Sequence, residues 1–154
     1  MLADGMRLGL KQIAVAIVVL FLAMQLVPVD RHNPVVDPAQ TIDAITPVPP
    51  SVRSVFDSSC NDCHSNETRW PWYAHVSPAS WIVAHDVQKA RREMNFSEWG
   101  TYSPKKREDK LEEICEQVVN GDMPEGKYAF FHRESKPTEQ QRDAVCKWTE
   151  DARQ

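Results

Sequence analysis

Several stretches of the chain place apolar residues at the three- and four-residue spacing of amphipathic helices. The clearest stretch repeats them at i, i+3, i+4 and i+7, at Leu111, Ile114, Cys115 and Val118. Ser103 and Pro104 are suited to cap and start this helix, and Gly121 is suited to end it. The pattern predicts an amphipathic helix between Pro104 and Gly121.

Three further helices are predicted from the same spacing. The first has apolar residues on one side, at Val52, Val55, Phe56 and Cys60. The second opens at Ser77 and Pro78, and its candidate buried positions are Trp81, Val83, Ala84, Val87 and Ala90. The fourth begins at Thr138, where Gln141 completes a capping box, and it buries Ala144, Val145 and Trp148. No alternating apolar run is long enough for a strand, so we expect an all-α fold.

The amino-terminal end has a different apolar pattern, because residues 12–29 form 18 consecutive uncharged positions. A helix of this length can cross a hydrocarbon layer about 30 Å thick. Arg7 and Lys11 precede the run against only Asp4, and this bias favours a cytoplasmic amino terminus. We therefore predict a cytoplasmic segment 1–11 and a transmembrane signal anchor 12–29. A cleaved signal peptide and a buried core helix are the alternatives.

Residues 30–50 contain five prolines and no glycine. Proline fixes φ and removes an amide donor, so this segment is predicted to be an extended, stiff linker. The compact domain is then expected to comprise residues 51–154, a length that suits one small domain.

Composition narrows the possible functions. The chain of 154 residues has 18 basic and 22 acidic side chains and a net charge of −4. The two signs are interspersed, which indicates a solvated surface and argues against a nucleic-acid partner.

The spacing Cys60, Cys63, His64 forms a CxxCH motif. Two thiols at this spacing can each bond one vinyl group of a haem, and the histidine can then bind the iron. The alternatives are a thioredoxin-like dithiol, a zinc site and a disulfide between the two cysteines. A thioredoxin-like site requires strands, which the pattern lacks. A zinc site would use three of the four cysteines and leave the fourth unpaired in an oxidising compartment. We favour covalent attachment of one haem c.

The residues around this motif resemble a bacterial family of exported haem-binding domains, whose hallmark is CxxCH followed by SNxTxWPWY. The similar stretch begins SCNDCHSNETRWPWYAHVSPASWIVAHDVQKARREMNFSEW, continues with GDMP and His132, and covers roughly Val52 to Trp148. The resemblance implies a cytochrome c-like helical domain that carries electrons, often beside larger redox proteins. This chain departs from the family at residues 125–127, where bulkier apolar residues are expected.

A haem that only carries electrons needs a second axial ligand opposite His64. The candidates are Met94, Met123, His75, His85 and His132. Met123 is favoured because Gly121 and Pro124 stiffen its loop. The resemblance to cytochromes c, in which a loop of this kind commonly carries the distal methionine, implies the same ligand. Met94 is expected to fill the core, and His85 to be a satisfied buried histidine. His75 and His132 are expected at the surface or beside the ligands.

The sequence also offers candidates for the groups that orient His64 and surround the haem. His64 requires a carbonyl on its other ring nitrogen to orient it. Aromatic residues after the motif are expected to be mainly core: Trp70, Trp72, Tyr73, Trp81, Phe96, Trp99 and Tyr102. Among the neighbouring side chains, Trp70 and Arg69 are the candidates for the haem propionates.

Cys115 and Cys146 lie on the apolar stripes of the third and fourth helices. Exported thiols rarely stay reduced, so we predict a disulfide that closes a loop of about 30 residues. Two independent buried thiols are the alternative.

These features predict a membrane-anchored electron-transfer domain of the bacterial inner membrane. Its haem domain would face the periplasm and exchange electrons with a protein redox partner, and we expect a carrier rather than an enzyme. One alternative is a haem-based gas or redox sensor, or a small peroxidase-like protein, with an open distal position. A purely structural haem domain is a further alternative.

Overall fold

The computed structural model describes residues 2–154, with side chains from Gly9 onward. Within this range the α-helices are α1 Leu2–Met24, α2 Ile42–Ile45, α3 Pro50–Val55, α4 Asn61–His64, α5 Ala79–Glu93, α6 Pro104–Asn120, α7 Gly126–Phe131 and α8 Glu139–Asp151. The 3-10 segments are Pro38–Gln40, Trp72–His75, Phe96–Thr101 and Arg133–Ser135, and Phe56–Cys60 forms a π turn. Residues 2–154 contain no strand, which confirms the all-α class.

Helix ends follow the sequence signals closely. The Ser103 side chain accepts a hydrogen bond from the Lys106 amide at the start of α6, and Gly121 ends that helix at φ 75°. Thr138 and Gln141 form the predicted capping box of α8. The second predicted helix is α5, which begins at Ala79, just after the Ser-Pro pair. The short helix α7 was not predicted.

The chain divides into two compact units. The first comprises the chain up to His32 together with Trp70–His85, and the second comprises Asn33–Arg69 with Asp86–Gln154. The hydrophobic core of the second unit is built from α2, α3, α6 and α8 with the turns at residues 56–60 and 96–101. Its buried members are Ile42, Val52, Val55, Phe56, Phe96, Trp99, Leu111, Ile114, Val145 and Trp148.

A disulfide joins α6 to α8 in the second unit. Cys115 and Cys146 are bonded, with their Cα atoms 4.7 Å apart. This confirms the predicted pairing, and it removes both thiols from any zinc site.

The segment predicted to be an extended linker contributes instead to the second unit. Ile42 is 1% exposed in its core. The indole Nε1 of Trp99 donates to Thr46 Oγ1 at 3.1 Å, and that of Trp148 donates to the Pro47 carbonyl at 3.0 Å. The prolines do restrict the backbone, but the residues between them bury an apolar side chain and satisfy two indoles. The domain boundary predicted at residue 51 therefore lies inside this unit.

The first unit contains α1 and the loop that carries the WPWY block. The Gln25 side chain accepts from the Ser77 amide at 2.9 Å and donates to the Ser77 carbonyl at 3.1 Å. Arg31 donates to the Ala74 carbonyl at 3.3 Å. Across the described residues, no helix has both the length and the apolar character needed to cross a membrane, so the anchor predicted over residues 12–29 is not confirmed.

Candidate functional site

The CxxCH motif lies at the end of a continuous run of helical backbone. α3 passes through the π turn Phe56–Cys60 into α4, which ends at His64. π turns are rare and occur often at functional sites, because the extra residue changes the direction of the following side chains. Phe56 anchors the run in the core, stacked on Phe96 with ring centroids 4.7 Å apart.

The His64 ring is oriented by a backbone carbonyl. Its Nδ1 lies 3.0 Å from the carbonyl oxygen of Met94. A carbonyl only accepts, so Nδ1 carries the proton and Nε2 is left with its lone pair. The pKa of His64 is lowered, because the effect of burial outweighs that of this hydrogen bond, which raises the pKa. The ring is therefore neutral, the state that a metal-ligating imidazole requires.

A cavity of about 300 Å³ lies beside this ring, wholly within the second unit. Apolar and sulfur-containing side chains line much of it: Cys60, Ala90, Met94, Phe96, Ile114, Val118 and Met123. The other lining residues are His64 and the polar or charged Asp86, Lys89, Glu93, Glu113, Gln117 and Glu125. One thiol, one imidazole and two thioethers thus share one cavity.

The end of α6 places Met123 at the cavity. With Gly121 in the left-handed conformation, the chain turns back, and the amides of Asp122 and Met123 donate to the Gln117 carbonyl at 3.0 and 3.1 Å. Gln117 also lines the cavity. The helix cap therefore fixes the backbone position of Met123, whose side chain lines the cavity.

The residues after Met123 are held by ion pairs. Lys127 Nζ lies 2.7 Å from Asp86 on α5 and 3.0 Å from Glu125. These hydrogen bonds raise the pKa of Lys127. Lys127, in the segment where the resembling family is expected to carry apolar residues, thus ties the chain after Met123 to α5.

Cys60 and Cys63 are free thiols and are both partly buried. Burial is the main cause that raises the pKa of each to about 12, and neighbouring acidic groups add to the effect at Cys63. The thiols are therefore protonated and unpaired, which does not fit the predicted alternative of a disulfide between them. Among the residues with described side chains, no cluster of three or more His, Cys, Asp or Glu is arranged for a metal ion.

The SNxT residues after His64 form a polar network that the sequence did not reveal. Arg91 donates to the Ser65 carbonyl at 2.8 Å, to Thr68 Oγ1 at 2.8 Å and to Asn33 Oδ1 at 2.7 Å. The buried Asn66 accepts from Asn95 Nδ2 at 2.8 Å. These contacts fix the backbone on both sides of the His64–Met94 hydrogen bond.

The propionate contacts predicted at Arg69 and Trp70 stay predictions. Arg69 is exposed and forms an ion pair with Asp62 at 2.9 Å, and it is not part of the cavity lining. Trp70 belongs to the first unit, so its role stays a prediction. The lining cation that sequence reasoning missed is Lys89. It shares one face of α5 with the lining residues Asp86, Ala90 and Glu93, a helical spacing that could have revealed it.

The remaining histidine candidates are His132 in the second unit and His75 and His85 in the first. His132 stacks on Tyr128 with ring centroids 4.4 Å apart and is not in the lining. Met94 packs against the core, as predicted. It also lines the cavity, which was not predicted.

A family model described as a haem-binding domain matches residues 19–151. The chain belongs to the haem-binding domain family. Searches of curated proteins and of solved structures found no match. The match begins well before residue 51, in agreement with the part that residues 33–50 play in the second unit.

The donor set of this haem-binding domain fits its cofactor. Thiols can form thioethers with haem vinyl groups, and imidazole and thioether are common axial ligands of haem iron. The largely apolar lining suits the porphyrin face, and Lys89 can meet a carboxylate. The protein is therefore a haem protein whose candidate site is this cavity.

Proposed function

We propose that this chain is a c-type cytochrome domain that carries electrons, with one haem attached through Cys60 and Cys63 and ligated by His64 and Met123. The observation that carries the proposal is the His64 ring, which is neutral and held at Nδ1 beside a cavity shared with Cys60 and Met123. When bound, haem iron supplies one-electron exchange between its ferric and ferrous states. The chain's own part is to fix the ligands and keep water from the iron.

The geometry favours Met123 over Met94 as the second ligand. The Met94 carbonyl is bonded to Nδ1, so the Met94 backbone lies on the side of the ring away from Nε2. A ligand opposite His64 must instead approach from beyond Nε2. Met123 reaches the cavity from the loop after α6, where its amide donates to the Gln117 carbonyl.

The sulfur ligand can be tested with paired variants of the haem-loaded protein. Met123→Ala should open one iron position, so the reduced form should bind carbon monoxide rapidly, whereas Met94→Leu should stay closed. Wild-type protein should be low-spin, and at neutral pH it should bind carbon monoxide only slowly. Rapid carbon monoxide binding by the wild type would contradict Met123 ligation and support the sensor or peroxidase alternative.

Covalent attachment has its own test. Intact mass after expression with a haem-maturation system should exceed the polypeptide mass by one haem, and the Soret absorbance should persist in acid–acetone. Cys60→Ser with Cys63→Ser should lose both features. Haem that is extracted from the wild type would contradict the attachment.

We also propose that residues 12–29 hold the domain to the bacterial inner membrane, with the haem in the periplasm and a protein redox partner nearby. The uncharged run and its basic flank support this location. The large apolar side chains of α1 between Leu10 and Leu22 are exposed, Val15 and Leu20 at 62% each. An exposed apolar surface of this kind is typical of an interaction site, and we propose that the lipid of the membrane buries it.

Fractionation of cells that express the full chain tests the anchor. The protein should pellet with membranes and resist salt and carbonate washes, and added protease should reach the haem domain only in spheroplasts. A form that begins at Asn33 should be released in soluble form. Full-length protein in the soluble fraction, or with a new amino terminus after residue 29, would contradict a retained anchor.

A further inference from the structure

One peptide group of the second unit makes two hydrogen bonds that point in opposite directions. The carbonyl of Met94 accepts from His64 Nδ1 at 3.0 Å. The amide N–H of the same peptide group, which belongs to Asn95, donates to the hydroxyl oxygen of Tyr102 at 2.8 Å. Tyr102 is therefore joined to the imidazole of His64 through a single amide.

Amide resonance connects the two ends of this group. An N–H that donates a hydrogen bond shifts electron density toward its carbonyl oxygen, which then becomes a stronger acceptor. A stronger acceptor at Nδ1 draws the ring proton away and makes Nε2 more electron-rich. The Tyr102 hydroxyl thus increases the basicity of the His64 ring without contact to it.

We propose that Tyr102 is a positioning residue that adjusts the ligand strength of His64, and so the haem potential, through the Met94–Asn95 peptide. This inference rests on the proposed function, in which His64 Nε2 binds the iron. An electron-rich ligand stabilises ferric over ferrous iron, so the Tyr102 hydroxyl lowers the midpoint potential.

The surroundings hold the peptide in place. The side chain of Asn95, which is 2% exposed, donates to Asn66 at 2.8 Å and accepts from the Ser97 amide at 3.0 Å. Tyr102 packs on the buried Trp99 with ring centroids 5.7 Å apart. The peptide cannot rotate freely to find another acceptor for its N–H.

A cation lies over the tyrosine ring. Lys106 Nζ is 3.7 Å from the Tyr102 ring centroid, and Lys106 is exposed on α6. A cation in this position withdraws electron density from the ring and weakens the hydroxyl oxygen as an acceptor. Lys106 and Tyr102 therefore act on the peptide with opposite signs.

The first test is Tyr102→Phe in the haem-loaded protein, which removes only the hydroxyl. We expect a higher midpoint potential, seen as a ~1.5- to 4-fold rise in the ratio of reduced to oxidised protein in a fixed redox buffer. In the reduced, diamagnetic protein, the His64 Nδ1–H proton resonance should move upfield. The visible spectrum should keep its low-spin form, because neither iron ligand is changed.

Tyr128→Phe is the matched control for the proton resonance. Its hydroxyl donates to Asp62 at 2.9 Å and has no bond to the Met94–Asn95 peptide. The His64 Nδ1–H resonance should therefore stay in place in this variant.

Lys106→Gln is the second variant, since its exposed position leaves folding intact even if Tyr102→Phe fails to fold. It should move the Nδ1–H resonance downfield, opposite to Tyr102→Phe. An unchanged resonance in both variants, or a lower potential in Tyr102→Phe, would overturn the role of Tyr102. Failure of the proposed function is separate, because it would appear first as wild-type protein without covalent haem.

Discussion

Removal of the Cys115–Cys146 disulfide should destabilise the haem domain and loosen the wall of its cavity. The two residues are 31 positions apart, and the bond joins α6 to α8. In the chain-entropy model, a disulfide that closes a loop of this length lowers the entropy of the unfolded chain. The folded state is thereby stabilised by about 3.7 kcal/mol at 25 °C. The side chains are only partly buried, so most of the expected effect comes from the unfolded chain.

The effect should extend to Met123, the proposed second axial ligand. Cys115 is adjacent to Ile114, which lines the cavity, and two residues later the Gln117 carbonyl holds the Met123 amide at 3.1 Å. Because α6 loses its covalent tie to α8, the Met123 loop should open more often. Carbon monoxide should then bind the reduced haem measurably faster than in the oxidised disulfide form.

Urea unfolding followed by far-ultraviolet circular dichroism measures the stability term. The Cys115→Ala, Cys146→Ala double variant should lose about 3–4 kcal/mol with a similar m-value. Reduction of wild-type protein with dithiothreitol should reproduce the loss, since thioether bonds to haem are not reduced. A loss below about 1 kcal/mol in both experiments would refute the entropic reasoning.

Three further outcomes are expected. Gly121→Ala should lower the free energy of unfolding by about 1 kcal/mol, because residue 121 has a φ of 75°. It should also speed carbon monoxide binding by displacing the Met123 loop. Equal binding rates in the variant and the wild type would contradict the role of the helix cap. A chain that begins at Ser51 should be about 4–5 kcal/mol less stable in urea than one that begins at Asn33, since it lacks one fully buried isoleucine and two indole acceptors. Lys127 has a raised pKa, so its ion pairs should hold at neutral pH and be lost only in alkaline solution as the pH rises through that value. Stopped-flow carbon monoxide binding should show an alkaline increase in the wild type, and Lys127→Met should already bind faster at pH 7.

Local signals in the sequence were enough to predict the main helices and to single out the CxxCH motif. The Ser103 cap, the Gly121 stop and the Thr138–Gln141 box depend on neighbouring residues only, and each lies where it was predicted. The CxxCH spacing is equally local. The disulfide was also predictable, because both cysteines lie on apolar helix faces in a chain that is expected to be exported.

Contacts between distant residues were decided only by the tertiary structure. A proline-rich segment indicates restricted backbone, but whether it is a spacer or part of a core depends on partners such as Trp148, about 100 positions away. In the same way, no local pattern pairs the Met94 carbonyl with His64, or brings Lys127 to Asp86. The sequence by itself determined which atoms could bind haem iron, whereas packing between helices decided which of them share one cavity and how each is held. The physical reason is that capping and helical periodicity act within a few residues, while burial and hydrogen-bond satisfaction are settled by the whole fold.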